Sequence, residues 1–284
     1  ITVGGVSYSF AKEDPFTFSA SRQHNFTITV NKRSGGGNYE FVLSGESITP
    51  WENDSVSHDA VSREYIIVNV PRAGTLEKCL TDAGKDPAKV RNLKITGEIN
   101  SSDFMLMKEK MEHLGALNLK EVHIMADERN TEFRIPDNAF EGKGSLVSMV
   151  LPDKLVSIGG DAFRDCSNLS GNLILPEGLE TIEYQAFTFC SALDGELSLP
   201  STLKSVGIEA FLGCGFNSEL KLPESITRIE RAAFGGCSGL YGEFSLPASL
   251  GFLGSSAFSD CSGVSGSIGI PQKGTDGPSG CFSN

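Results

Sequence analysis

The sequence predicts a solenoid of short parallel β-strands joined by turns or short helical turns. Helices are expected to cap its N-terminal end, and a small antiparallel β-sandwich-like unit is expected before the cap. The main observation is that the pair Ala-Phe recurs every 23 or 24 residues between residues 134 and 272. A Leu-Pro or Ile-Pro follows each pair. Such a fixed period is typical of a solenoid, because one unit buries its apolar side only by stacking on the next.

One unit shows how the coil should close. Leu173 and Leu175 have the alternating spacing of a short strand with one buried face. Pro176 ends that strand because it has no N–H to donate. Leu179 and Ile182 are expected to turn back under the strand, with the next Ala-Phe filling the centre of the coil. Stacked units should therefore form a parallel sheet on one side and turns on the other.

The repeated frame resembles the BspA-like leucine-rich repeat family. It runs LETIEYQAFTFCSALDGELSLP at 179–200 and ITRIERAAFGGCSGLYGEFSLP at 226–247, and five units keep it. Lys143 stands where the first cysteine would be, and one residue is missing between Cys214 and Phe216. The resemblance covers about half of the chain and implies a leucine-rich repeat solenoid. It also implies a bacterial surface or secreted protein with a role in adhesion.

Five of the seven cysteines follow the repeat, three residues after its phenylalanine. They form no zinc-type cluster with each other or with histidine, so the sequence predicts a ladder of small buried thiols. A redox or metal role is the less favoured alternative. Cys79 and Cys281 lie outside the ladder, and a bridge involving Cys281 would need an oxidising compartment. The repeat cysteines are Cys166, Cys190, Cys214, Cys237 and Cys261.

Residues 1–70 are predicted to be an antiparallel β unit. The segment from Tyr8 to Trp51 resembles the closing part of fimbrillin-like domains, in which a strand pair leads to an Ile-x-x-Trp segment. It is shorter than a full domain of that family, so this unit is either truncated or a minimal remnant. Strands are expected at 8–10, 16–18, 25–30, 39–43 and 64–70.

Residues 71–130 are predicted to cap the open end of the solenoid. Thr75 should N-cap a helix that ends at Gly84, and Ser102 should start a second helix that ends at Gly115. Strands are expected over 93–99 and 117–124. The second helix carries a methionine stripe that is expected in the core rather than in a binding groove, namely Met105, Met107 and Met111. The repeats should occupy 131–272 and a loose tail 273–284.

Composition excludes several classes of function. A net charge of -12 and a pI near 4.8 disfavour nucleic acid and an anionic membrane surface as partners. The sequence has no apolar run long enough for a transmembrane segment. The chain begins at Ile1, so a targeting or anchoring segment is expected to have been removed.

No catalytic frame is recognisable. The four histidines lie outside the regular repeats, and the hydrolase, zinc-protease and phosphate-loop motifs do not occur. The triplet Gly35–Gly37 lies between predicted strands and should form a hairpin loop. We therefore predict no enzyme activity, no cofactor and no metal site.

The open face of the predicted sheet carries the candidate binding residues. Alignment by Leu-Pro should stack Glu196, Glu219 and Glu243 as a carboxylate ladder with strands about 4.8 Å apart. A solvated acidic stripe is the plainer interpretation, a partner or ligand footprint is the second, and a calcium site is the third. One outward row contains Ser148, Asn172, Glu196, Glu219, Glu243 and Ser267, and its neighbour contains Val150, Ile174, Ser198, Lys221, Ser245 and Gly269.

These observations predict a monomeric, non-enzymatic protein of the bacterial surface or extracellular space. Its partner should be an extracellular protein or glycan bound on the concave face of the solenoid, since solenoids offer extended surfaces. It could be anchored to the outer membrane through a segment outside this chain. A structural or accessory subunit of a pilus is the first alternative, and an enzyme that lacks its catalytic part here is the second.

Overall fold

The computed structural model describes residues 65–243 and 246–265, together with the backbone of four strands near the N terminus. The chain divides into two compact units, Ile1–Asp54 and Ser55–Asn284. The strands predicted at 8–10 and 16–18 and the tail predicted at 273–284 lie outside the described residues.

In the first unit, two long strands form an antiparallel hairpin. They are β3 (Arg22–Lys32) and β4 (Tyr39–Pro50), with an irregular register next to Phe26. The strands predicted at 25–30 and 39–43 are confirmed and extend further than predicted. Before them lie β1 (Thr2–Val3) and β2 (Val6–Ser7), which also pair antiparallel.

In the second unit, parallel strands and helices alternate before the repeats begin. β5 runs parallel to β6, and β6 runs parallel to β7 and β8. The strand predicted at 64–70 therefore pairs within the cap, because α1 supplies the crossover that a parallel pair requires. The elements are β5 (Ile66–Val70), α1 (Leu76–Asp82), a 3₁₀ helix (Pro87–Lys89), β6 (Asn92–Ile99), α2 (Ser101–Glu109), β7 (Ala116–Asn118) and β8 (Val122–Ile124).

The side chain of Thr75 does not cap α1, contrary to the prediction. Thr75 occupies the N-cap position, but its hydroxyl donates to the Arg72 carbonyl at 2.6 Å. The buried Asp103 carboxylate instead accepts from the N–H groups of Gly74 at 2.6 Å and Leu76 at 2.9 Å. One side chain of α2 thereby satisfies the start of α1, a long-range contact that local sequence does not reveal.

Helix α2 starts earlier and ends earlier than predicted. Asn100 is its N-cap, in a capping box with Asp103, and the helix ends at Glu109 rather than at Gly115. Met107 and Met111 are fully buried, as predicted, whereas Met105 is 42% exposed. A helix of this length turns one position of the stripe towards solvent.

The repeats contribute two rows of strands. β9, β11, β13, β15, β16 and β18 form one continuous parallel ladder, here called the ladder face. The other row consists of β10, β12, β14, β17 and β19 and is here called the Leu-Pro face. The strands are β9 (Arg134–Ile135), β10 (Ser148–Val150), β11 (Ser157–Ile158), β12 (Leu173–Ile174), β13 (Thr181–Ile182), β14 (Leu197–Ser198), β15 (Ser205–Val206), β16 (Arg228–Ile229), β17 (Tyr241–Glu243), β18 (Phe252–Leu253) and β19 (Gly263–Ser265).

The continuous ladder lies where the sequence predicted a turn. Only the Leu-Pro side was expected to form a sheet, and the segment after each proline was expected to turn back beneath it. In the structure this segment pairs from coil to coil, as Thr181–Ile182 does with Ser205–Val206. Two-residue strands are too short to show a period of two in the sequence, which explains why the pattern missed them.

Phenylalanines stack along the centre of the solenoid. The six Ala-Phe rings lie 5.0–5.4 Å apart between centroids, within 21° of parallel. Each coil is also joined to the next beside the rings, where the Phe187 N–H donates to the Ala210 carbonyl at 2.8 Å. The stacked rings are Phe140, Phe163, Phe187, Phe211, Phe234 and Phe258.

Tight turns flank every Ala-Phe pair. The residues two before and two after each phenylalanine have positive φ, a conformation that glycine, asparagine and aspartate adopt most readily. This side of the coil therefore consists of turns, as the sequence predicted. The positions are Asn138, Asp161, Gln185, Glu209, Ala232 and Ser256 before the ring, and Gly142, Asp165, Phe189, Gly213, Gly236 and Asp260 after it.

The cysteine ladder is confirmed, and it forms hydrogen bonds between coils. Each repeat cysteine is buried, and each thiol donates to the phenylalanine carbonyl of the preceding unit, as Cys190 does to Phe163 at 3.0 Å. Burial raises the pKa of the Cys166 thiol to about 12 and that of Cys261 to about 11.

Candidate functional site

The Leu-Pro face is interrupted between the first and second repeat units and between the third and fourth, where coils of unequal length meet. The fourth and fifth, which also differ in length, are joined by a bridge between Glu219 and Tyr241. From the cysteine position to the proline, the second and third repeat units have eleven residues each (166–176 and 190–200). The first and fourth have ten (143–152 and 214–223). The two long units pair in register through β12 and β14. A missing residue puts neighbouring strands out of phase, because side chains alternate along a strand.

Hydrogen bonds join the third and fourth repeat units on either side of the interruption. At one end the Asn217 N–H donates to the Gly195 carbonyl at 3.1 Å. Next to it, the Leu197 N–H donates to the Ser218 hydroxyl at 3.2 Å instead of to a backbone carbonyl. Backbone pairing between the two coils is regular again at Thr227, whose N–H donates to the Lys204 carbonyl at 2.9 Å.

A cleft of about 520 Å³ opens between these two ends. We call it the short-coil cleft. Its volume falls within the range of small-molecule sites. Four of the predicted site residues line it, and they are joined by Ser218 and Tyr241. The side chains on which the site depends are Glu196, Ser198, Ser218, Glu219, Lys221 and Tyr241.

The charged groups of the cleft sum to one negative charge. Lys221 Nζ lies 2.8 Å from Glu219 Oε2. The hydrogen bond and the charge of Glu219 raise the pKa of the Lys221 ammonium, so it stays protonated at neutral pH. Glu196 contributes the second carboxylate. The Lys221 side chain is 78% exposed, so solvent screens this pair and it adds little stability.

Tyr241 contributes an exposed aromatic ring, with 51% of the residue accessible. Two glycines allow the neighbouring side chains to lie close to the backbone. A Cβ on Gly242 would lie 2.8 Å from Glu219 Cγ, and a Cβ on Gly263 would lie 3.1 Å from Tyr241 Cβ. Tyr241 is not apparent as a site residue from the Leu-Pro alignment, because that alignment places Glu243 beside Glu219.

The carboxylate ladder is wrong at the fourth unit. Glu219 pairs with Tyr241 rather than with Glu243, a shift of two residues. The missing residue before Phe216 displaces the strand, and Phe216 packs edge-on against Phe211 in the core. The side chain of Glu243 and all of Ser245 lie outside the described residues, so their predicted place in the site remains a prediction.

The other predicted residues that the structure describes lie on the first and second repeat units. The Asn172 side chain accepts from the Glu196 N–H at 2.8 Å and so joins two coils. Ile174 is half-buried and pairs with Ser198. Ser148 was expected to face outward, but it is 7% exposed where β10 joins β7 of the cap.

A second, smaller cleft lies between the cap and the first repeat unit. It has a volume of about 330 Å³, is lined by Arg91, His113 and Ser145 among others, and contains no aromatic side chain apart from the histidine. Among residues 65–243 and 246–265, no three His, Cys, Asp or Glu side chains are grouped to hold a metal ion. Within the same part of the chain, no helix is long and apolar enough to span a bilayer.

Residues 133–265 match the family model of the BspA type leucine rich repeat region, in six copies. No curated protein matches the chain. A leucine-rich repeat protein of T. pallidum is 31% identical, with a TM-score of 0.44, and the match covers 50% of this chain and 65% of that one.

Two further solved structures are similar. One is a leucine-rich repeat protein of Bacteroides ovatus, at 25% identity and a TM-score of 0.44, covering 86% of this chain and 46% of that one. The other is described as a leucine rich cell surface protein of Faecalibacterium prausnitzii, at 21% identity and a TM-score of 0.43, with 77% and 46% covered. This chain therefore spans about half the length of these two proteins.

Proposed function

Because residues 133–265 match the family model of the BspA type leucine rich repeat region, we propose that this chain is a non-enzymatic binding protein that holds its partner in the short-coil cleft. The observation that carries the proposal is the cleft itself, which opens at the break in the Leu-Pro face and is lined by polar side chains and an exposed tyrosine. Function follows from such a site rather than from the fold alone.

The cleft combines the features of a binding site. Tyrosine is enriched among residues that dominate binding energy, because it offers apolar area with little rotamer entropy to lose. Glu196, Ser198 and Lys221 are exposed around Tyr241 and offer acceptors and donors to a partner. The regular coils on either side hold these groups in place, which reduces the ordering cost of binding.

We place the partner outside the cell. The resemblance of the repeats to surface proteins and the printed description of the Faecalibacterium protein support this location. Extracellular proteins and glycans are the expected partners. The net charge of -12 disfavours nucleic acids and anionic membranes. We expect the chain to act as a monomer.

The test is a binding panel of matrix proteins, mucins and glycans against the immobilised chain. The first variant changes Glu196, Glu219 and Glu243 to Gln together, which removes charge but keeps side-chain size. We expect a partner to be retained by the native chain and to be lost or weakened by the variant. If the variant binds as well as the native chain, the partner sits elsewhere, and if nothing is retained, a binding role is contradicted.

A matched control tests whether binding depends on the carboxylates of the cleft or only on the negative charge of the chain. Glu180 pairs with Lys204 at 2.7 Å next to the ladder face, much as Glu219 pairs with Lys221 in the cleft. The change Glu180→Gln therefore removes a comparable charge from a comparable ion pair. It should leave binding unchanged.

The second candidate is a structural or accessory subunit of a pilus. The long β3–β4 hairpin and the fimbrillin-like sequence from Tyr8 to Trp51 favour it. Strand exchange between subunits would then drive assembly. Light scattering over a range of concentrations is the test, and polymers that grow with concentration would support this role. A chain that stays monomeric throughout would argue against it.

A further inference from the structure

The short-coil cleft presents hydrogen-bond acceptors and donors side by side. Glu196 and Glu219 accept, Lys221 donates, and the hydroxyl of Ser198 and the amide of Asn217 do both. A ligand that matches this surface must itself carry groups that donate and accept at close spacing. Vicinal hydroxyl groups have this property.

The charges of the cleft argue against the two ionic classes of ligand. An anionic ligand would meet two carboxylates and only one ammonium, and Glu219 already holds that ammonium at 2.8 Å. A basic peptide could pair with Glu196, but it would be repelled by the exposed Lys221 beside it. A neutral ligand avoids both penalties.

The exposed ring beside these groups completes the site. Tyr241 is 51% exposed, and Gly263 of the next coil lies close to it, since a Cβ there would come within 3.1 Å of Tyr241 Cβ. An aromatic face is apolar at its centre and polar at its hydroxyl. The C–H face of a sugar ring can lie on such a surface while its hydroxyls reach the carboxylates.

We propose that the short-coil cleft binds a neutral oligosaccharide, with Tyr241 against a sugar ring and with Glu196 and Glu219 accepting from its hydroxyls. The inference rests on the proposed function and specifies its ligand class. The volume of about 520 Å³ accommodates a short oligosaccharide rather than a folded protein surface.

Isothermal titration of the full chain tests the proposal with three probes. They are a neutral pool of mucin oligosaccharides, a sialylated and sulfated pool, and a lysine-rich peptide. We expect the neutral pool to bind and Tyr241→Ala to weaken it about tenfold. Tyr241→Phe keeps the ring and should retain most of the affinity, and thermal melting should show that both variants are folded.

Tyr184 provides the matched control, because it is also an exposed tyrosine (47%) but lies in a turn that does not line the cleft. Tyr184→Ala should leave the titration unchanged. Binding of only the anionic pool or only the peptide would overturn the inference, as would equal losses in the two alanine variants or no saccharide binding at all. A matrix protein lost by the triple glutamine variant, without any sugar binding, would reject the sugar while leaving the proposed function intact.

Discussion

Each repeat cysteine acts as a buried hydrogen-bond donor. The thiol of Cys190 donates to the Phe163 carbonyl at 3.0 Å, beside the Cys166 N–H that donates to the same carbonyl at 3.1 Å. The same thiol contact recurs in five units. A small side chain with a weak donor suits this place, because it fills buried space and reaches the second lone pair of a carbonyl that already accepts from a backbone N–H. The thiols therefore contribute to stacking and are poorly suited to redox chemistry, which requires an accessible thiolate.

This burial predicts slow alkylation of the ladder. Burial raises the pKa of the Cys190 thiol, so iodoacetamide at pH 8 should label it far more slowly than the half-buried Cys79. Residue-resolved mass spectrometry measures both rates. In denaturant the two rates should converge. Labelling of Cys190 as fast as that of Cys79 in the folded chain would contradict the buried ladder.

A second prediction at this scale concerns backbone strain. Ala232 has a φ of 52°, which is unfavourable for a residue with a Cβ. Ala232→Gly should raise the free energy of unfolding by about 0.5–1 kcal/mol, since relief of strain outweighs the added entropy of the unfolded chain. Denaturant titration measures this change.

The neighbouring alanine is the control for that experiment. Ala233 is fully buried beside the phenylalanine stack and lacks the positive φ. Ala233→Gly should therefore destabilise the chain by about 1 kcal/mol. If both glycine variants were destabilised equally, the strain argument would be wrong.

The side chains show what sequence could and could not predict at the residue scale. The burial of the repeat cysteines and phenylalanines follows from their period alone. The hydrogen bonds of Asp103 to Gly74 and Leu76 join residues nearly thirty positions apart, and no local pattern encodes such a contact. Tyr241 was missed because one absent residue upstream moved it into the place assigned to Glu243.

At the scale of elements, Lys143 joins the first repeat to the cap. Its Nζ donates to the Met111 carbonyl at 2.9 Å and to the Lys108 carbonyl at 3.2 Å, close to the C-terminal end of α2. The preceding coil contains a helix here, so the carbonyls lie where a cysteine thiol would not reach. Burial lowers the pKa of the Lys143 ammonium, yet the two carbonyls stabilise it.

Lys143→Met should therefore loosen the cap. The variant keeps much of the volume but removes the Nζ donor from both carbonyls, although the Met111 carbonyl still accepts from the Leu114 N–H at 3.0 Å. We expect a cost of about 1 kcal/mol in the free energy of unfolding. Lys154→Met removes an exposed lysine one strand away and is the control, with almost no expected change. A stability gain in Lys143→Met would show that the buried charge costs more than its hydrogen bonds contribute.

Unequal coil length is the element-scale cause of the short-coil cleft. Insertion of one serine between Gly215 and Phe216 would give the fourth unit the same eleven-residue segment as its neighbours. We expect a crystal structure of this variant to show β14 paired with the fourth unit and the cleft closed. A cleft of unchanged volume would mean that side chains, rather than coil length, keep the strands apart.

The sequence predicted some elements of secondary structure better than others. The repeats, the hairpin strands and both cap helices have strong local signals. The ladder face does not, because each of its strands contributes only two residues and its order arises from stacking. The breaks in the Leu-Pro face are visible in the segment lengths, but only when the cysteine-to-proline spacing of every unit is compared.

At the scale of the whole second unit, the regular core and the interrupted Leu-Pro face have different roles. The phenylalanine stack, the thiol ladder and the ladder face continue past the fourth unit without a break. The irregularity is confined to the Leu-Pro face, so the core supports the cleft without being exposed by it. A single length change can thus open a cleft at little cost to the fold.

The most direct test is an amide hydrogen-exchange footprint of the chain with and without a mucin preparation that it retains. We expect slowed exchange at 196–199 and 217–222, with no change in the turns at 184–189. Tyr241→Ala should abolish the protection, and Tyr184→Ala should not. Protection confined to the turns or to the β3–β4 hairpin would contradict a binding site in the short-coil cleft.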